Sequence, residues 1–479
     1  MSSYTTPNFS ALGSLNIPAF FPVPPLMNIF AEWAALIPLV CHLASYRHAH
    51  QFVGQVTLLG RVSVGLFPKL GVLTGISRLI ERSPEFLDTA SMLGSSSRKV
   101  WDVKWGSTFP CANGAASDIL AESLLSCGKA AVRIPEEIPS ALLPQLAKDT
   151  TQCSKESASG AQAKQEPFSI PSNLTTVSSQ GPIVRPNIRR YQTLHVLSFS
   201  KTKPSSSWHS ILDRFFSSPI FEAMAFTCKI GIVVIFCLFG IYGTAATLLS
   251  GAVTQLVVRN IQIQRPSGFL GNNEVHDACM LVATHANAST WYLFVGDRGI
   301  VDSLLNKPMI CIPSQKVAAM WLRNANIIQL LAMTFVAAQK GWDGVSLFVL
   351  LVISTIIKLR FSNKFLAKIF CEANGVVATQ ESFEFSGRTS MLGAIQKLSE
   401  TRSWAWMDEI LTPCARRDVW AKDLSSTDPD LKQFNIEIRN LNDFDRGWVL
   451  VNKTLAERAA NMMRNAIGGH AEKRVSSCS

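Results

Sequence analysis

The sequence predicts a polytopic α-helical membrane protein with a small soluble α+β module and a mainly helical C-terminal region. Of its 479 residues, 47% are hydrophobic and only 16% are charged, whereas about 25% of the residues are charged in typical soluble domains. An uncharged run covers residues 230–258, and a helix needs about 20 mostly apolar residues to cross a bilayer. Together these features predict a multi-pass protein of an endomembrane or of the plasma membrane.

The N-terminal part of the chain divides by composition. Residues 1–25 form an uncharged, proline-containing N-terminus without the basic region of a cleaved signal peptide. Residues 26–46 are a candidate transmembrane helix; because a glutamate and a proline interrupt them, a helix lying on the membrane surface is the alternative. Residues 47–149 predict an amphipathic and soluble segment. Residues 150–207, rich in Ser, Thr, Gln, Lys and Pro, predict a disordered linker.

Two further regions are predicted to lie in the membrane. Residues 220–258 form either a single span over 230–258 or a hairpin that bends at Gly240-Ile-Tyr-Gly243. Residues 317–359 predict a transmembrane helical hairpin, because two uncharged blocks flank Lys340-Gly-Trp-Asp-Gly344. The glycines, the tryptophan and the two charges of that pentapeptide are typical of a turn at the headgroups.

Residues 259–316 between these regions predict the α+β module. Strand-like stretches occupy 279–285 and 290–295, and a helical run follows at 300–306.

The module contains the candidate catalytic residues His276, Asp277 and His285, because imidazole and carboxylate groups transfer protons in enzymes. Glu274 and Cys279 lie beside them, but the spacing matches no metal-binding or nucleotide-binding motif. No metal site and no cofactor is therefore predicted. A structural role for these polar side chains in hydrogen bonds is the alternative to catalysis.

The basic C-terminal domain, residues 360–479, contains Trp404, Trp406 and Trp420. These tryptophans either lie at a membrane surface or form the core of a small helical domain. The formal net charge of +11 comes from basic residues spread along the chain, which is not the clustered pattern of nucleic-acid sites. The predicted partners are therefore membrane lipids together with protein partners or a lipophilic small molecule, and not nucleic acid.

Four glycosylation sequons occur, at Asn8, Asn173, Asn287 and Asn452. The segment before the first span has no Lys or Arg, so the positive-inside rule places it outside and the middle of the chain in the cytoplasm. Glycosylation is accordingly predicted at Asn8 and not at Asn173 or Asn452. Asn287 is the second candidate, modified only if residues 220–258 cross the membrane once.

Several short motifs between residues 221 and 424 resemble those of a broad group of filamentous-fungal multi-pass membrane proteins. They are Arg265-Pro266-x-Gly268, His276-Asp-Ala-Cys-Met280, Asn287-Ala-Ser-Thr-Trp-Tyr292, Gly296-Asp-Arg-Gly299, Met391-Leu-Gly-Ala-Ile-Gln396 and Pro413-Cys-x-Arg-Arg-Asp418. The group has no assigned activity, so the resemblance implies no catalytic residue. Because some members accompany secondary-metabolite genes, the resemblance implies an accessory or transport role in such a pathway.

The leading prediction is thus an accessory membrane protein that organises partners or supports the traffic of a lipophilic compound. The alternative is a membrane-bound enzyme that acts on a lipophilic substrate through the residues from His276 to His285.

Overall fold

The structure is a computed structural model in which a mixed β-sheet lies between layers of helices. It describes residues 20–21, 28–45, 51–62, 64–65, 69–128, 130–135, 191–202, 219–339, 341–360, 363–425 and 437–475.

The sheet takes its seven strands from widely separated parts of the described chain. The strands are β1 (Lys99–Asp102), β2 (Thr108–Pro110), β3 (Val132–Arg133), β4 (Gln192–Lys201), β5 (Ala278–Ala283), β6 (Thr290–Gly296) and β7 (Val376–Phe385). Their order in the sheet is β2-β1-β5-β6-β4-β7-β3. The pairs β4–β6 and β3–β7 are parallel, and the other pairs are antiparallel.

The helices belong to the two layers that cover the sheet and to a separate helical layer. They are α1 (Asn28–Ala44), α2 (Gln51–Leu59), α3 (Leu70–Ser91), α4 (Gly114–Leu125), α5 (Pro219–Leu238), α6 (Tyr242–Arg259), α7 (Arg298–Leu305), α8 (Lys316–Gln339), α9 (Trp342–Arg360), α10 (Asn363–Asn374), α11 (Arg388–Ser399), α12 (Ala415–Ser425) and α13 (Asp443–Val475).

Both faces of the sheet are buried, because side chains alternate along each strand and every face meets helices. Trp101, Trp291 and Phe383 point to the face covered by α11, α12 and α13. Phe199 and Phe294 lie in the core on the opposite face, where α4, α7 and α10 pack. This two-sided burial explains why β5 consists only of buried residues instead of an alternating pattern.

The helical layer packs α6 along α8 and α1 along α9, with α3 and α5 beside them. Asp343 at the start of α9 joins two of these helices, since its buried carboxylate accepts hydrogen bonds from the backbone N–H groups of Gly243 (2.8 Å) and Thr244 (2.7 Å). These donors lie in the first turn of α6, where backbone N–H groups lack partners within the helix and favour a negative charge.

Within the described part of the chain, no helix has both the length and the apolar character that a bilayer crossing requires. The prediction of a polytopic α-helical membrane fold is therefore wrong, and so is the multi-pass location. The transmembrane spans predicted at 26–46, 220–258 and 317–359 are wrong for the same reason. The architecture is instead a mixed α/β arrangement around one sheet.

The apolar runs behind that prediction are interrupted. Residues 230–258 do not form one helix, because the chain breaks at Gly240, whose φ of 77° lies in the left-handed region. The bend considered as the alternative for this region is thus confirmed. The helix at 26–46 is reduced to 17 residues with Pro38 inside it, and the interior of α8 contains polar residues such as Arg323 and Gln329.

The linker predicted at 150–207 is wrong at its C-terminal end, because Gln192–Lys201 forms β4 between β6 and β7. Residues 136–190 lie outside the described residues. The predicted strands and helix of the module at 259–316 correspond to β5, β6 and α7, but the strands belong to the common sheet.

Candidate functional site

The structure does not bring the three sequence-predicted candidates together. His276 and Asp277 are exposed just before β5, whereas His285 is exposed just beyond its other end. A strand advances about 3.3 Å per residue, so more than about 20 Å of extended chain separates Asp277 from His285. A shared active site for these residues therefore has no geometric support.

The structure gives no support for a metal site near these residues. Cys279 is buried in β5, and burial raises the pKa of its thiol to about 12, which disfavours the thiolate that binds metals. The described residues contain no group of three or more His, Cys, Asp or Glu side chains that could hold a metal ion.

His285 and the sequon residue Asn287 have structural contacts in the turn between β5 and β6. The backbone N–H of Asn287 donates to Nδ1 of His285 at 3.1 Å. Arg388 donates to the side-chain oxygen of Asn287 at 2.6 Å and to the carbonyl of Ala286 at 2.8 Å. These contacts agree with the alternative prediction for His285, a structural role in hydrogen bonds.

The other sequons do not restore the glycosylation pattern. Asn8 and Asn173 lie outside the described residues. Asn452 lies within α13, where its side chain donates to the carbonyl of Trp448 at 2.8 Å. The choice among Asn8, Asn173, Asn287 and Asn452 depended on membrane crossings, and the described helices offer none.

A buried charge cluster lies at the edge where the parallel strands β4 and β6 end, which is where many α/β proteins bind ligands. Asp297 caps α7 by accepting a hydrogen bond from the backbone of Ile300. The next residue, Arg298, is buried among three carboxylates. Its guanidinium nitrogens lie 3.0 Å from Asp102, 2.9 Å from Glu274 and 3.5 Å from Asp302.

The charges of this cluster largely compensate one another. Burial raises the pKa of Asp302, and the nearby charges of Arg298 and Lys307 oppose that shift. Asp102 also accepts hydrogen bonds from the backbone N–H groups of Lys104 and Trp105. The cluster thus connects the β1–β2 turn with α7, and its excess of carboxylates disfavours an anionic ligand. No sequence pattern indicated its central ion pair, because Arg298 and Asp102 are far apart in the chain.

Arg265, from the Arg265-Pro-x-Gly motif, also has contacts that indicate a structural role. Its guanidinium donates to the backbone carbonyls of Thr57 (2.6 Å), Leu58 (2.7 Å) and Met309 (3.0 Å). The ring of Phe269 lies 4.4 Å from the guanidinium carbon. Burial lowers the pKa of Arg265 to about 10, so the side chain stays positively charged near neutral pH. The motif therefore joins the end of α2 to the loop before α8.

A serine–histidine pair lies on the sheet, where Oγ of Ser382 and Nδ1 of His195 are 2.7 Å apart. Burial lowers the pKa of His195, which favours the neutral imidazole. Such a pair resembles a nucleophile with its base. However, Ser382 lies inside β7 between the paired strands β3 and β4, so the local backbone is engaged in the sheet and does not form an oxyanion hole. The contact between Ser382 and His195 therefore agrees better with a structural role in the sheet than with catalysis.

The tryptophans of the C-terminal domain belong to the core. Trp406 and Trp420 are completely buried against α11 and α13, and Trp404 packs against the same core. Trp406 donates to the side chain of Gln396 at 2.8 Å. Of the two interpretations of these tryptophans, the helical core is confirmed.

An open groove lies between the end of α6 and the start of α8. Its volume is about 720 Å³, within the roughly 300–1,000 Å³ of small-molecule sites. Most of its exposed surface is apolar, although four of its eight lining residues have polar side chains. The groove is lined by Val257, Asn260, Ser314, Gln315, Lys316, Val317, Ala318 and Trp321. No sequence motif indicated it, because the two helix ends are about sixty residues apart in the chain.

Comparisons of the chain with family models, curated proteins and solved structures find no match. The resemblance to fungal membrane proteins stays a prediction, and no residue role comes from it. Among the sites described above, only the groove combines space for a ligand with side chains that are not already engaged in the core.

Proposed function

We propose that this protein is a non-catalytic binding protein that holds an amphipathic, lipophilic molecule in the groove between α6 and α8. Such a molecule is the lipophilic partner expected from the sequence. The observation that carries the proposal is the combination of a ligand-sized, mostly apolar groove with a lining tryptophan, Trp321, whose buried indole N–H has no hydrogen-bond partner among the described residues.

The walls of the groove suit an apolar body. Val257 comes from α6, and Val317, Ala318 and Trp321 come from the first two turns of α8. Removing apolar surface from water stabilises a complex by about 25 cal/mol per Å². Val317 is 78% exposed, so a ligand that covers it gains this contribution without displacing a side chain from the core.

Two groups provide complementarity for a polar end of the ligand. The indole N–H of Trp321 is buried and has no hydrogen-bond partner among the described residues. A buried donor without a partner is unfavourable, so a ligand acceptor would relieve that cost when the ring turns its N–H into the groove on binding. Lys316, exposed at the mouth of the groove, favours an anionic acceptor. A long-chain carboxylic acid combines both properties.

Binding of dansyl-labelled undecanoic acid, followed by fluorescence and by displacement with oleate, tests the proposal. Wild-type protein is expected to show saturable binding. Trp321→Phe keeps the apolar ring and removes the N–H, and should weaken binding about tenfold, the effect of losing one hydrogen bond of about 1.4 kcal/mol to a charged acceptor. Lys316→Ala should weaken displacement by oleate more than displacement by uncharged oleyl alcohol.

Leu331→Gln is the matched control, because Leu331 is an exposed apolar residue of the same helix that does not line the groove. Its affinity should equal that of the wild type. The proposal fails if no saturable binding is found, or if Trp321→Phe and Leu331→Gln bind the probe equally well.

A further inference from the structure

Gln329, in the middle of α8, is completely buried, and neither its amide oxygen nor its amide nitrogen has a hydrogen-bond partner among the described residues. Gln396 is equally buried but fully engaged. Its amide nitrogen donates to Thr401, Ser403 and Ser425, and its oxygen accepts from Trp406. Native structures leave few buried polar groups unsatisfied, so an amide such as that of Gln329 indicates a partner other than the described residues.

The register of α6 against α8 places another unsatisfied atom at about the level of this amide. Gly243 at the start of α6 faces Ala332 and Val336 near the end of α8, so the two helices run antiparallel and the second turn of α6 lies level with Gln329. In the next turn, the buried hydroxyl of Ser250 has no hydrogen-bond partner among the described residues.

The neighbouring hydroxyl groups of α6 differ from that of Ser250. Thr247 and Thr254 donate to the carbonyls four residues earlier, at 2.9 and 2.7 Å, the usual arrangement of such residues within a helix. On α8, one turn before Gln329, Asn326 differs from Gln329 as well, because its side chain hydrogen-bonds with His42 of α1 and contacts Thr74 of α3. The free atoms therefore belong to both facing helices.

The surroundings favour an uncharged guest. His42 of α1 hydrogen-bonds with the side chain of Asn326, and burial lowers the pKa of His42 to about 4, so its imidazole is neutral at physiological pH. The amide of Gln329 offers a donor and an acceptor, and the hydroxyl of Ser250 offers either. A guest that satisfies these atoms must both donate and accept hydrogen bonds.

We infer that the interface between α6 and α8 binds a small neutral hydroxyl guest at Gln329 and Ser250. The guest is either water or a small molecule with a hydroxyl group, since both have the same hydrogen-bonding chemistry. This site is separate from the groove, which lies at the first two turns of α8, and it does not depend on the proposed function.

Thermal unfolding of Gln329→Met tests the inference, because methionine keeps the length of the side chain and removes the amide. If a guest satisfies the amide, the variant loses those hydrogen bonds and its Tm falls by a few degrees. If the amide is truly unpaired, its removal leaves Tm unchanged or raises it. Gln396→Met, which removes an engaged amide, must lower Tm in either case and sets the scale.

Ser250→Ala is a second variant, small enough to keep the fold if Gln329→Met does not. A guest shared by both residues lowers the Tm of Ser250→Ala, and the double variant then loses less than the sum of the single losses. Unchanged or raised Tm values, or strictly additive losses, would overturn the inference. Mass spectrometry of a denatured extract distinguishes the two sources, because a hydroxyl compound is recovered from the wild type and not from Gln329→Met, whereas water leaves no such signal.

Discussion

One buried carboxylate joins α9 to α6 by hydrogen bonds, and Asp343→Ala removes it. Asp343 is 7% exposed. Its carboxylate accepts hydrogen bonds from the backbone N–H groups of Gly243 and Thr244 and from the hydroxyl of Thr244. The substitution leaves these donors without an acceptor in a buried environment. It should therefore destabilise the helical layer.

The size of the effect follows from the number and type of the lost hydrogen bonds. Replacing an N-terminal capping aspartate with alanine costs about 1 kcal/mol in exposed helices, and a hydrogen bond to a charged group contributes about 1.5–3 kcal/mol. Because Asp343 is buried, its removal should cost more than the removal of an exposed capping residue. We therefore expect Asp343→Ala to lower the free energy of unfolding by about 3 kcal/mol. Asp343→Asn retains one acceptor oxygen and should lose roughly half as much.

Urea unfolding followed by circular dichroism measures this loss as a lower midpoint at an unchanged m-value. Asp277→Ala is the control, because Asp277 is an exposed aspartate before β5, and its removal should change stability by less than about 0.5 kcal/mol. A loss below about 1 kcal/mol for Asp343→Ala, or equal losses for the two variants, would refute the capping role.

Two further predictions concern a buried imidazole and a strained glycine. Burial lowers the folded-state pKa of His42 from 6.5 to about 4, so the stabilising contribution of its neutral form is complete above about pH 6.5 and is lost as the pH falls towards 4. The free energy of unfolding of the wild type should decrease by about 3 kcal/mol as the pH falls through that window, relative to His42→Phe measured in parallel. Identical pH profiles for the two proteins would contradict the shift. Gly296 has a φ of +111°, and a Cβ there would lie 2.0 Å from the carbonyl oxygen of Phe199, so Gly296→Ala should cost more than about 3 kcal/mol. In contrast, Gly231→Ala, at a helical site without neighbours within 4 Å, should gain up to about 1 kcal/mol in the same unfolding assay, and equal effects of the two substitutions would contradict the strain at Gly296.

Local features of the fold could be predicted because their causes are local. The turn after β6 and the helical run at 300–306 follow from Gly296 and Asp297, since a glycine permits the positive φ and an aspartate caps the helix. The bend at Gly240 has the same kind of cause. Helical runs on both sides of Lys340 were also predicted, and α8 and α9 occupy these positions.

The candidate site could not be predicted in the same way. Its walls come from the end of α6 and the start of α8, whose proximity depends on how the helices pack. The predicted candidates His276 and His285 were close in the sequence, but an extended strand separates them. Gln329 shows no distinctive pattern in the sequence, because its significance lies in the absence of a partner across a helix interface.

The sequence by itself determined the positions of several helices and of the strands β5 and β6, together with the apolar character of these segments. Only the tertiary structure decided what those apolar residues contact. The run in β5 reads as continuous apolar sequence because the sheet buries it on both faces. Strand pairing and the ion pair between Asp102 and Arg298 join residues far apart in the chain. Hydrophobic periodicity reports only the local conformation and the presence of an apolar face, and the partner of that face is chosen by packing among distant segments.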